Sequence, residues 1–462
     1  MSSLAVGRNG LLRVSLGRLL PRFRLHPAQM VVLAFLFAIA VGTALLALPV
    51  SRDGDGAAPG LTAFFTSTSA VCLTGLVVVD TPTYWSTFGE VVILALIQVG
   101  GFGIMTLASL LVLLMSRRLG LRTRLVAQAE TKTLGLGDVR TVVRGVAITS
   151  LLFELIAAVI LAIRFWASYD ESVGDAAYLG VFHAVSAFNN AGFALYSSSM
   201  IPFVGDPVVC LAIAVVVIAG GLGFPVLFEL RREFFTPRLW SLHTKIVVYF
   251  SGVLVAVGTV AVTAIEWGNP TTLGALDVPG KLLAGFFQGV MPRTAGFNSL
   301  DYAEMDQATW LVTDVLMFIG GSPAGTAGGI KVTTFVLLGF VILAEARGER
   351  SVNMFGRRLP VNVQRQALSI ALLGVAAVVG PTLALLLLTD VSLDQILFET
   401  TSAFGTVGLS TGITADLPGA GQLILIALMF IGRLGPITFA TALALRQRET
   451  LYRYPEERPI VG

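Results

Sequence analysis

Four short segments of the chain each carry a phenylalanine followed ten positions later by a glycine, a spacing that suits a loop presenting backbone oxygen atoms. They begin at Phe65, Phe182, Phe286 and Phe398 and read FTSTSAVCLTG, FHAVSAFNNAG, FFQGVMPRTAG and FETTSAFGTVG. Glycine adopts positive φ without steric penalty, so it lets successive carbonyl groups turn toward one axis. Carbonyl oxygens arranged in this way replace the hydration shell of an ion. The chemistry that these segments indicate is cation binding by the backbone.

The glycines that end these segments belong to an internal repeat. They stand 117, 104 and 112 residues apart, and a second glycine follows each of them after 24 to 28 residues. A single such segment would indicate only a glycine-rich turn between helices, but four in matching register indicate four copies of one unit. The loop glycines are Gly75, Gly192, Gly296 and Gly408; the later glycines are Gly100, Gly220, Gly320 and Gly432; six residues before the loop glycines stand Ser69, Ser186, Val290 and Ser402.

The composition is typical of a helical membrane protein. Of 462 residues, 55% are hydrophobic and 13% are charged, and the mean hydropathy is +0.83. So few charges cannot cover the surface of a soluble protein of this size. The two cysteines, Cys72 and Cys210, have no metal-site spacing and form no disulfide framework, and we expect both to be buried packing residues.

Basic residues concentrate at the ends of the apolar stretches that lie away from the loop glycines. Five arginines and no acidic residue occupy the first 29 positions, and further basic clusters lie within 117–144, 231–245, 347–365 and 446–458. Acidic residues instead surround the loop glycines. By the positive-inside rule, both termini are cytoplasmic and the loops open outward. A signal peptide is the alternative for the N-terminus, but the first apolar run is too long and lacks a small-residue cleavage site.

We predict an all-α polytopic membrane protein with four span–pore-loop–span repeats, eight transmembrane helices in all, around a pseudo-fourfold pore. Loops at membrane depth are tolerated only where protein or a water-filled cavity satisfies their polar groups, which four loops around one axis provide. Apolar stretches lie at 30–50, 88–115, 142–166, 207–230, 244–267, 307–345, 366–389 and 421–445. The predicted organisation is a basic cytoplasmic N-terminus (1–29), repeats at 30–115, 142–230, 244–345 and 366–445, cytoplasmic loops at 116–141, 231–243 and 346–365, and a cytoplasmic C-terminus (446–462).

This organisation resembles the Trk/Ktr/HKT superfamily of potassium transporters over nearly the whole chain. It is most similar to the Ktr membrane subunits, because the first apolar span leads directly into the first loop. The resemblance implies potassium uptake through a gated, channel-like pore, often stimulated by sodium, in a homodimer of the inner (cytoplasmic) membrane. It also implies a cytoplasmic ring of nucleotide-binding, RCK-type regulatory subunits. The lipid bilayer is a further expected partner, and we expect neither a nucleic-acid partner nor a covalent cofactor. The expected transported ion is potassium, and sodium is expected to activate transport or to be co-transported.

Matching the family motif onto the four loops assigns a selectivity filter. The fourth loop, Thr406-Val407-Gly408-Leu409, is also similar to the Thr-Val-Gly-Tyr-Gly filter of potassium channels. All four loops keep glycine, whereas a serine in the first loop is the family pattern of sodium-selective plant members, so potassium is favoured. Because the loops differ in sequence, we expect one good K⁺ site formed by backbone carbonyls rather than a row of equal sites. The assigned residues are Val71, Cys72, Leu73, Thr74, Gly75, Asn189, Asn190, Ala191, Gly192, Thr294, Ala295, Gly296, Gly405, Thr406, Val407 and Gly408.

Small residues interrupt the second span of the third repeat. The run GGSPAGTAGGIK places five glycines and a proline in mid-span, where proline costs about 3 kcal/mol and each glycine up to about 1 kcal/mol in a helix. We expect a broken helix, and the resemblance implies an intramembrane gating loop. Close helix packing through small residues is the alternative. The assigned gate residues are Gly320, Gly321, Ser322, Pro323, Ala324, Gly325, Thr326, Ala327, Gly328, Gly329 and Lys331, together with Arg433.

Two arginines lie where a charge is unexpected. Arg433 is near the centre of the last predicted span, where a buried cation is costly and by default functional or paired. The resemblance makes it an electrostatic barrier beside the gate, and an ion pair with Asp314 or Glu399 is the structural alternative. Arg293 stands three residues before a loop glycine. We expect it to anchor its pore helix to an outer acid rather than to line the filter.

Patterns typical of enzymes occur in the wrong context. Residues 135–138 and 169–170 match motifs of intramembrane aspartyl proteases, but they fall outside the apolar spans and in reverse order. His183 has no serine nucleophile spaced to form a dyad with it. We therefore predict no enzymatic activity. The alternatives that remain are a sodium-selective or nonselective cation transporter on the same scaffold and an organic-solute secondary transporter, which the one direction of the repeats disfavours.

Overall fold

The computed structural model describes residues 27–118 and 139–435, and this part of the chain is mostly helical. Most of the predicted N-terminus and first cytoplasmic loop, the end of the last predicted span and the C-terminus lie outside the described residues. The helices are α1 (Pro27–Leu46), α2 (Gly60–Cys72), α3 (Thr81–Tyr84), α4 (Thr87–Arg118), α5 (Val139–Ser168), α6 (Val173–Phe188), α7 (Pro207–Leu222), α8 (Phe224–Glu233), α9 (Leu242–Glu266), α10 (Val278–Val290), α11 (Gln307–Phe318), α12 (Val332–Ala346), α13 (Val361–Leu386), α14 (Leu393–Gly405) and α15 (Gly419–Leu434).

Four of the described helices are long and apolar enough to cross a bilayer, and they are α1, α5, α9 and α13. Each opens one of the predicted repeats. Large apolar side chains on their outer faces, such as Phe37, Leu155, Val260 and Leu372, are each more than 60% exposed. Exposed apolar side chains of this density are stable against lipid tails rather than water. The chain is therefore a multi-pass membrane protein.

Each long helix is followed by a shorter helix that leads into a loop glycine. These are α2, α6, α10 and α14, which have 13, 16, 13 and 13 residues and are too short to span a bilayer. Capping fixes where two of them begin: Ser172 accepts a hydrogen bond from the Asp175 amide at 3.2 Å, and Asp277 accepts one from the Gly280 amide at 2.9 Å. Their C-terminal halves are buried, so these helices aim the four loops at the interior of the molecule.

The second predicted span of each repeat differs from copy to copy. As the sequence predicts, the helix of the third repeat is broken, because α11 ends at Phe318 and α12 begins at Val332. A second break was not predicted: α7 and α8 meet at an angle of 103° around Gly223. Gly223 has φ +81° and ψ 152°, a conformation open in practice only to glycine. Pro225, two residues later, is the feature of the sequence that fits this bend, because proline is favoured in the first turn of a helix.

One small β-hairpin departs from the all-α prediction. Strand β1 (Asn353–Met354) pairs antiparallel with β2 (Arg357–Arg358), and the two turn residues, Phe355 and Gly356, have φ of +48° and +76°. Two positive φ values in succession are the signature of the tight turns that close hairpins. Met354 is buried in a cluster that includes Val332 and Val336 of α12. The hairpin therefore rests on the helix that begins directly after the broken segment.

Polar contacts hold neighbouring repeats together at the ends of the spans. The Ser197 hydroxyl donates to Asp80 at 2.7 Å, and the Tyr178 hydroxyl donates to Glu90 at 2.6 Å, and both bonds join repeats one and two. Within repeat two, Asp206 accepts from the Arg164 Nε at 2.7 Å and from the Tyr169 hydroxyl at 2.9 Å. Burial raises the pKa of Asp206, but these hydrogen bonds outweigh burial and hold the pKa below its ordinary value.

Candidate functional site

The four loop glycines lie against one another in a closed cycle. A Cβ atom added to any of them would come within 3.0 Å of a carbonyl oxygen in the next loop, closer than real Cβ atoms approach. In every case that carbonyl belongs to the residue just before the neighbouring loop glycine. The pairs are Gly75 with Ala191, Gly192 with Ala295, Gly296 with Val407, and Gly408 with Thr74. No side chain larger than hydrogen fits at these positions without displacing an adjacent loop.

Two residues of each loop have left-handed backbone conformations. The loop glycines have φ between +73° and +93°. The residue two positions before each glycine also has positive φ, although none of these residues is glycine and each left-handed residue of this kind costs roughly 1–2 kcal/mol. In loops one, two and four the left-handed residue ends the pore helix, because the next amide donates to the carbonyl five residues back. The non-glycine residues and their φ values are Leu73 (57°), Asn190 (56°), Thr294 (75°) and Thr406 (49°).

The serine six residues before the loop glycine fastens the loop to its own pore helix. The hydroxyls of Ser69 and Ser402 accept hydrogen bonds from the amides of Gly75 and Gly408, at 3.0 and 3.1 Å. In the second loop the Ser186 hydroxyl instead donates to the Phe193 carbonyl at 2.7 Å. The third repeat has Val290 at this position and lacks such a bond. The serine of the repeat therefore has a structural role beside the loop rather than a place among the carbonyls.

The second glycine of each repeat allows close packing beneath the loops. A Cβ atom on any of these glycines would lie within 3.0 Å of a backbone carbonyl oxygen. In repeats one, two and four that carbonyl is at the C-terminal end of the repeat's own pore helix, four residues before the loop glycine. In repeat three it belongs to the broken segment instead. The contacts are Gly100 with Val71, Gly220 with Phe188, Gly432 with Phe404, and Gly320 with Gly328.

The ends of the broken segment are paired with each other. Ile319 and Ile330 form an isolated parallel bridge, in which the Gly320 amide donates to the Ile330 carbonyl at 2.8 Å. The Val332 amide also donates to the Gly321 carbonyl, at 3.1 Å. Residues 320–331, called the gate loop below, thus form a loop whose two ends are hydrogen-bonded to each other. Some of its backbone groups bond the second repeat, since the Thr326 amide donates to the Gly220 carbonyl at 3.3 Å.

The gate loop contacts the second and fourth repeats. The Ser322 amide donates to the Gly221 carbonyl at 3.0 Å, and the Thr326 hydroxyl lies 2.9 Å from the Asn190 amide group of the second filter loop. A Cβ on Gly328 would collide with Thr406 of the fourth filter loop. The gate loop therefore touches residues of two filter loops directly.

One cation, Arg433, lies beside the gate loop, and a second, Lys331, is its last residue. Arg433 is 3% exposed and its Nη1 donates to the Thr326 carbonyl. Its Nε and Nη2 have no hydrogen-bond partner among the described residues, and no carboxylate of that part of the chain pairs with it. The ion pair with Asp314 or Glu399, the structural alternative, is therefore not formed. The Lys331 ammonium donates to the carbonyls of Ala327 and Gly328, the latter at 3.3 Å.

Some residues assigned to the filter belong to the pore helices instead of the loops. Val71 and Cys72 are the last residues of α2, and Gly405 is the last residue of α14. Asn189 is the residue after α6, and its Nδ2 donates to Gln98 at 2.9 Å and to Glu154 at 3.1 Å. The side chain of Asn189 therefore binds neighbouring helices, and the loops proper begin one residue later.

Two charged side chains have roles that sequence reasoning missed. Glu399, which is fully buried on α14, accepts from the Ser410 hydroxyl, from the Thr411 amide at 3.1 Å and from the Thr414 hydroxyl at 3.0 Å. It braces the chain that leaves the fourth loop. Arg293 was expected to pair with an outer acid, and this is wrong. Its guanidinium donates instead to the carbonyl and hydroxyl of Ser251 on α9, at 3.0 and 3.2 Å.

The fold and the loops define a class of protein: a multi-pass helical membrane protein with four glycine loops gathered in one cycle. Comparison with known proteins agrees. The family model TrkH, described as a cation transport protein, matches residues 22–452. The chain belongs to this family of cation transport proteins, and it is a transport protein rather than an enzyme.

Individual relatives are similar over nearly their full length. The chain is 41% identical to "Ktr system potassium uptake protein B" of Bacillus subtilis (strain 168) over 441 residues, which are 95% of this chain and 97% of that protein. It is 39% identical to the protein of the same description from Vibrio alginolyticus over 438 residues, 94% of each chain. These matches confirm the resemblance to the Trk/Ktr/HKT superfamily.

The fold is shared with a solved structure. The crystal structure of the potassium transporter TrkH from Vibrio parahaemolyticus superposes with a TM-score of 0.70 and covers 90% of this chain and 84% of that chain. The two sequences are 19% identical in this comparison, so the match speaks for the fold alone.

Proposed function

We propose that the chain takes up potassium across the cytoplasmic membrane through a gated, channel-like pore. The observation that carries this proposal is the closed cycle of Gly75, Gly192, Gly296 and Gly408, each packed on a carbonyl of the next loop. Such a cycle brings backbone carbonyls of four loops to one place without any side chain between them. The descriptions of two relatives contain the words "potassium uptake", which supports potassium as the ion.

In this proposal the ion exchanges its water for carbonyl oxygens of the four loops and then meets the gate loop. Arg433 adds a positive charge against the gate loop at Thr326, and in a low-dielectric interior such a charge repels a cation strongly. Opening requires the gate loop to leave Gly221 and Asn190. The bridge of Ile319 with Ile330 holds the two ends of the gate loop together while the loop moves.

The finer organisation is part of the proposal. It has eight spans around a pseudo-fourfold pore, both termini in the cytoplasm, and loops that open outward. The protein acts as a homodimer, is stimulated by sodium and is regulated by a cytoplasmic ring of nucleotide-binding subunits. The four long helices, each followed by a pore helix and a loop, support the repeat count. The family, and relatives described as parts of a Ktr system, support the partner.

The test compares two glycine-to-serine changes in the same segment. Gly408 and Gly412 have φ of +93° and +95°, so serine is equally strained at both. A Cβ at Gly408 collides with the Thr74 carbonyl, whereas no described atom lies within 4 Å of one at Gly412. Potassium, rubidium and sodium fluxes into proteoliposomes should therefore show a loss of potassium preference of about tenfold in Gly408→Ser, equal to about 1.4 kcal/mol, and none in Gly412→Ser.

Each outcome of this test bears on one alternative. Equal effects of the two substitutions would contradict the filter assignment, because backbone strain alone would then explain both. Sodium flux that equals or exceeds potassium flux in the unchanged protein would favour the sodium-selective or nonselective transporter. Absence of any cation flux, with and without a regulatory partner, would favour the organic-solute transporter.

A further inference from the structure

A cavity of about 220 Å³ lies between the second and third repeats, outside the cycle of loops. Its walls are almost entirely apolar. Along α9 it extends from Val248 to Val255, which is the middle of a helix that runs from Leu242 to Glu266. Gly252 forms part of its wall and is exposed, and its neighbours Tyr249 and Val253 are exposed on the outer face of α9. The cavity therefore opens toward the lipid at mid-span.

A full positive charge lines this apolar cavity. Arg293 is 8% exposed, and its guanidinium bonds are made to the carbonyl and hydroxyl of Ser251, which are neutral. No carboxylate of the described chain pairs with it. A cation held in a low-dielectric interior without a counter-charge is costly. An anionic group at the inner end of the cavity would remove this cost.

We propose that the cavity binds a fatty acid from the bilayer, with its carboxylate at Arg293 and its acyl chain along α9. The volume suits one chain segment, since an apolar cavity of roughly 150 Å³ already holds a benzene molecule. A carboxylic acid can cross hydrocarbon in its protonated, neutral form because its pKa is about 4 to 5. The phosphodiester of a phospholipid stays ionised and would have to leave the interface as a charge, so the mid-span position favours the fatty acid.

Occupancy of the cavity acts on the gate loop. Gly221 and Gly321 both line the cavity, and Gly221 is the residue whose carbonyl holds the Ser322 amide at 3.0 Å. An acyl chain there packs against both sides of this contact and favours the arrangement in which the contact is made. The bound fatty acid therefore reduces potassium flux. This consequence rests on the proposed function, whereas the binding site does not.

Binding is tested on the full purified chain with radiolabelled dodecanoate as the probe. Gly252 and Gly380 are both helical glycines at which an added Cβ meets no described atom within 4 Å, but only Gly252 lines the cavity. Gly252→Leu places a large side chain at the opening of the cavity, and Gly380→Leu makes the same change on α13. We expect dodecanoate binding to fall at least tenfold in Gly252→Leu and to persist in Gly380→Leu. Dodecanol, which has no charge, should compete at least tenfold more weakly than unlabelled dodecanoate.

Several results would overturn the inference. Equal dodecanoate binding by the two leucine variants would exclude the cavity, and equal competition by dodecanol would exclude recognition of the charge by Arg293. Absence of binding together with a changed oligomeric state of Gly252→Leu in light scattering would show that a second copy of the chain covers the cavity. Arg293→Gln should also weaken binding, but its place beside the third loop makes Gly252→Leu the decisive variant.

Flux measurements separate this inference from the proposed function. Dodecanoate should lower potassium flux at least threefold in the unchanged protein and in Gly380→Leu, and should leave Gly252→Leu unaffected. Flux that ignores dodecanoate in a protein that binds it would overturn the effect on the gate loop. A chain that binds dodecanoate as expected but carries no potassium would refute the proposed function and support the site.

Discussion

At the residue scale, serine hydroxyls that accept hydrogen bonds from glycine amides hold two of the four glycine loops. Ser69 and Ser402 each accept from the amide of the loop glycine six residues later, so the amide is occupied while the carbonyls stay available. Neither serine supplies a ligand to an ion in this arrangement. They act by fixing the backbone on which the carbonyls depend.

Loss of one such hydroxyl should loosen its loop. In Ser402→Ala the half-buried Gly408 amide loses its partner, which costs about 1 kcal/mol. We expect potassium-to-sodium selectivity to fall several-fold, less than in Gly408→Ser, because no new atom enters the cycle. Flux ratios in proteoliposomes measure this. Ser369→Ala is the control, since its hydroxyl bonds the Arg365 carbonyl on an exposed part of α13; equal behaviour of the two variants would contradict the role given to Ser402.

The sequence was sufficient to identify the loop glycines but not the strained residues before them. Glycine recurs at the same place in all four copies, so its pattern is visible. The left-handed residue two positions earlier is leucine, asparagine, threonine and threonine, none of which marks the conformation. In loops one, two and four it ends the pore helix, a position where glycine is the usual residue, so these residue types do not reveal it.

At the element scale, two breaks in helices meet at one place. Gly223, at the bend between α7 and α8, lies against the gate loop: a Cβ on it would be 3.0 Å from the Gly325 amide nitrogen and 3.0 Å from the Pro323 carbonyl oxygen. The bend of the second repeat thus seats the broken segment of the third. The helix of the second repeat turns through 103° at this contact.

A small side chain at this bend should disturb the gate loop. Gly223 and Gly435 both have φ of +81°, so alanine strains the backbone similarly at each. No described atom lies within 4 Å of a Cβ on Gly435. We expect Gly223→Ala to raise potassium flux several-fold in the absence of a regulatory partner, because the gate loop must move away, and Gly435→Ala to leave flux near the unchanged level. A rise of the same size in both variants would assign the effect to strain in the bend.

The two breaks differ in how visible they are in the sequence. Five glycines and a proline within 320–331 exceed what a helix tolerates, so the gate loop was predicted. Gly223 is one of several glycines in its helix, and close packing explains its neighbour Gly220 equally well. Only the backbone angles distinguish a glycine that packs from a glycine that bends.

At the scale of the whole molecule, the proposed orientation can be tested with the cysteines of the chain itself. Cys72 and Cys210 are the two cysteines in the sequence, and both are buried. They therefore give little background with a membrane-impermeant maleimide. Asp55 and Arg350 are both exposed, the first in the connection before α2 and the second in the connection before β1.

Single cysteines at these two positions should react from opposite sides. In right-side-out vesicles we expect Asp55→Cys to be labelled at once and Arg350→Cys to be labelled only after permeabilisation, because acidic connections face outward and basic ones inward. The measurement is the labelled fraction before and after detergent. Labelling of both from the same side would contradict the odd number of crossings proposed between them.

The closed contact of the four loops has a mechanical consequence. In an open row of four parts, the two at the ends have a free flank and can relax when another is altered. A closed cycle has no free flank: each loop supports one neighbour and rests on the other. A side chain added at any one of these glycines therefore displaces a neighbouring loop, which in turn contacts the loop after it. Four loops that differ in sequence consequently behave as one part, which keeps its shape or loses it as a whole.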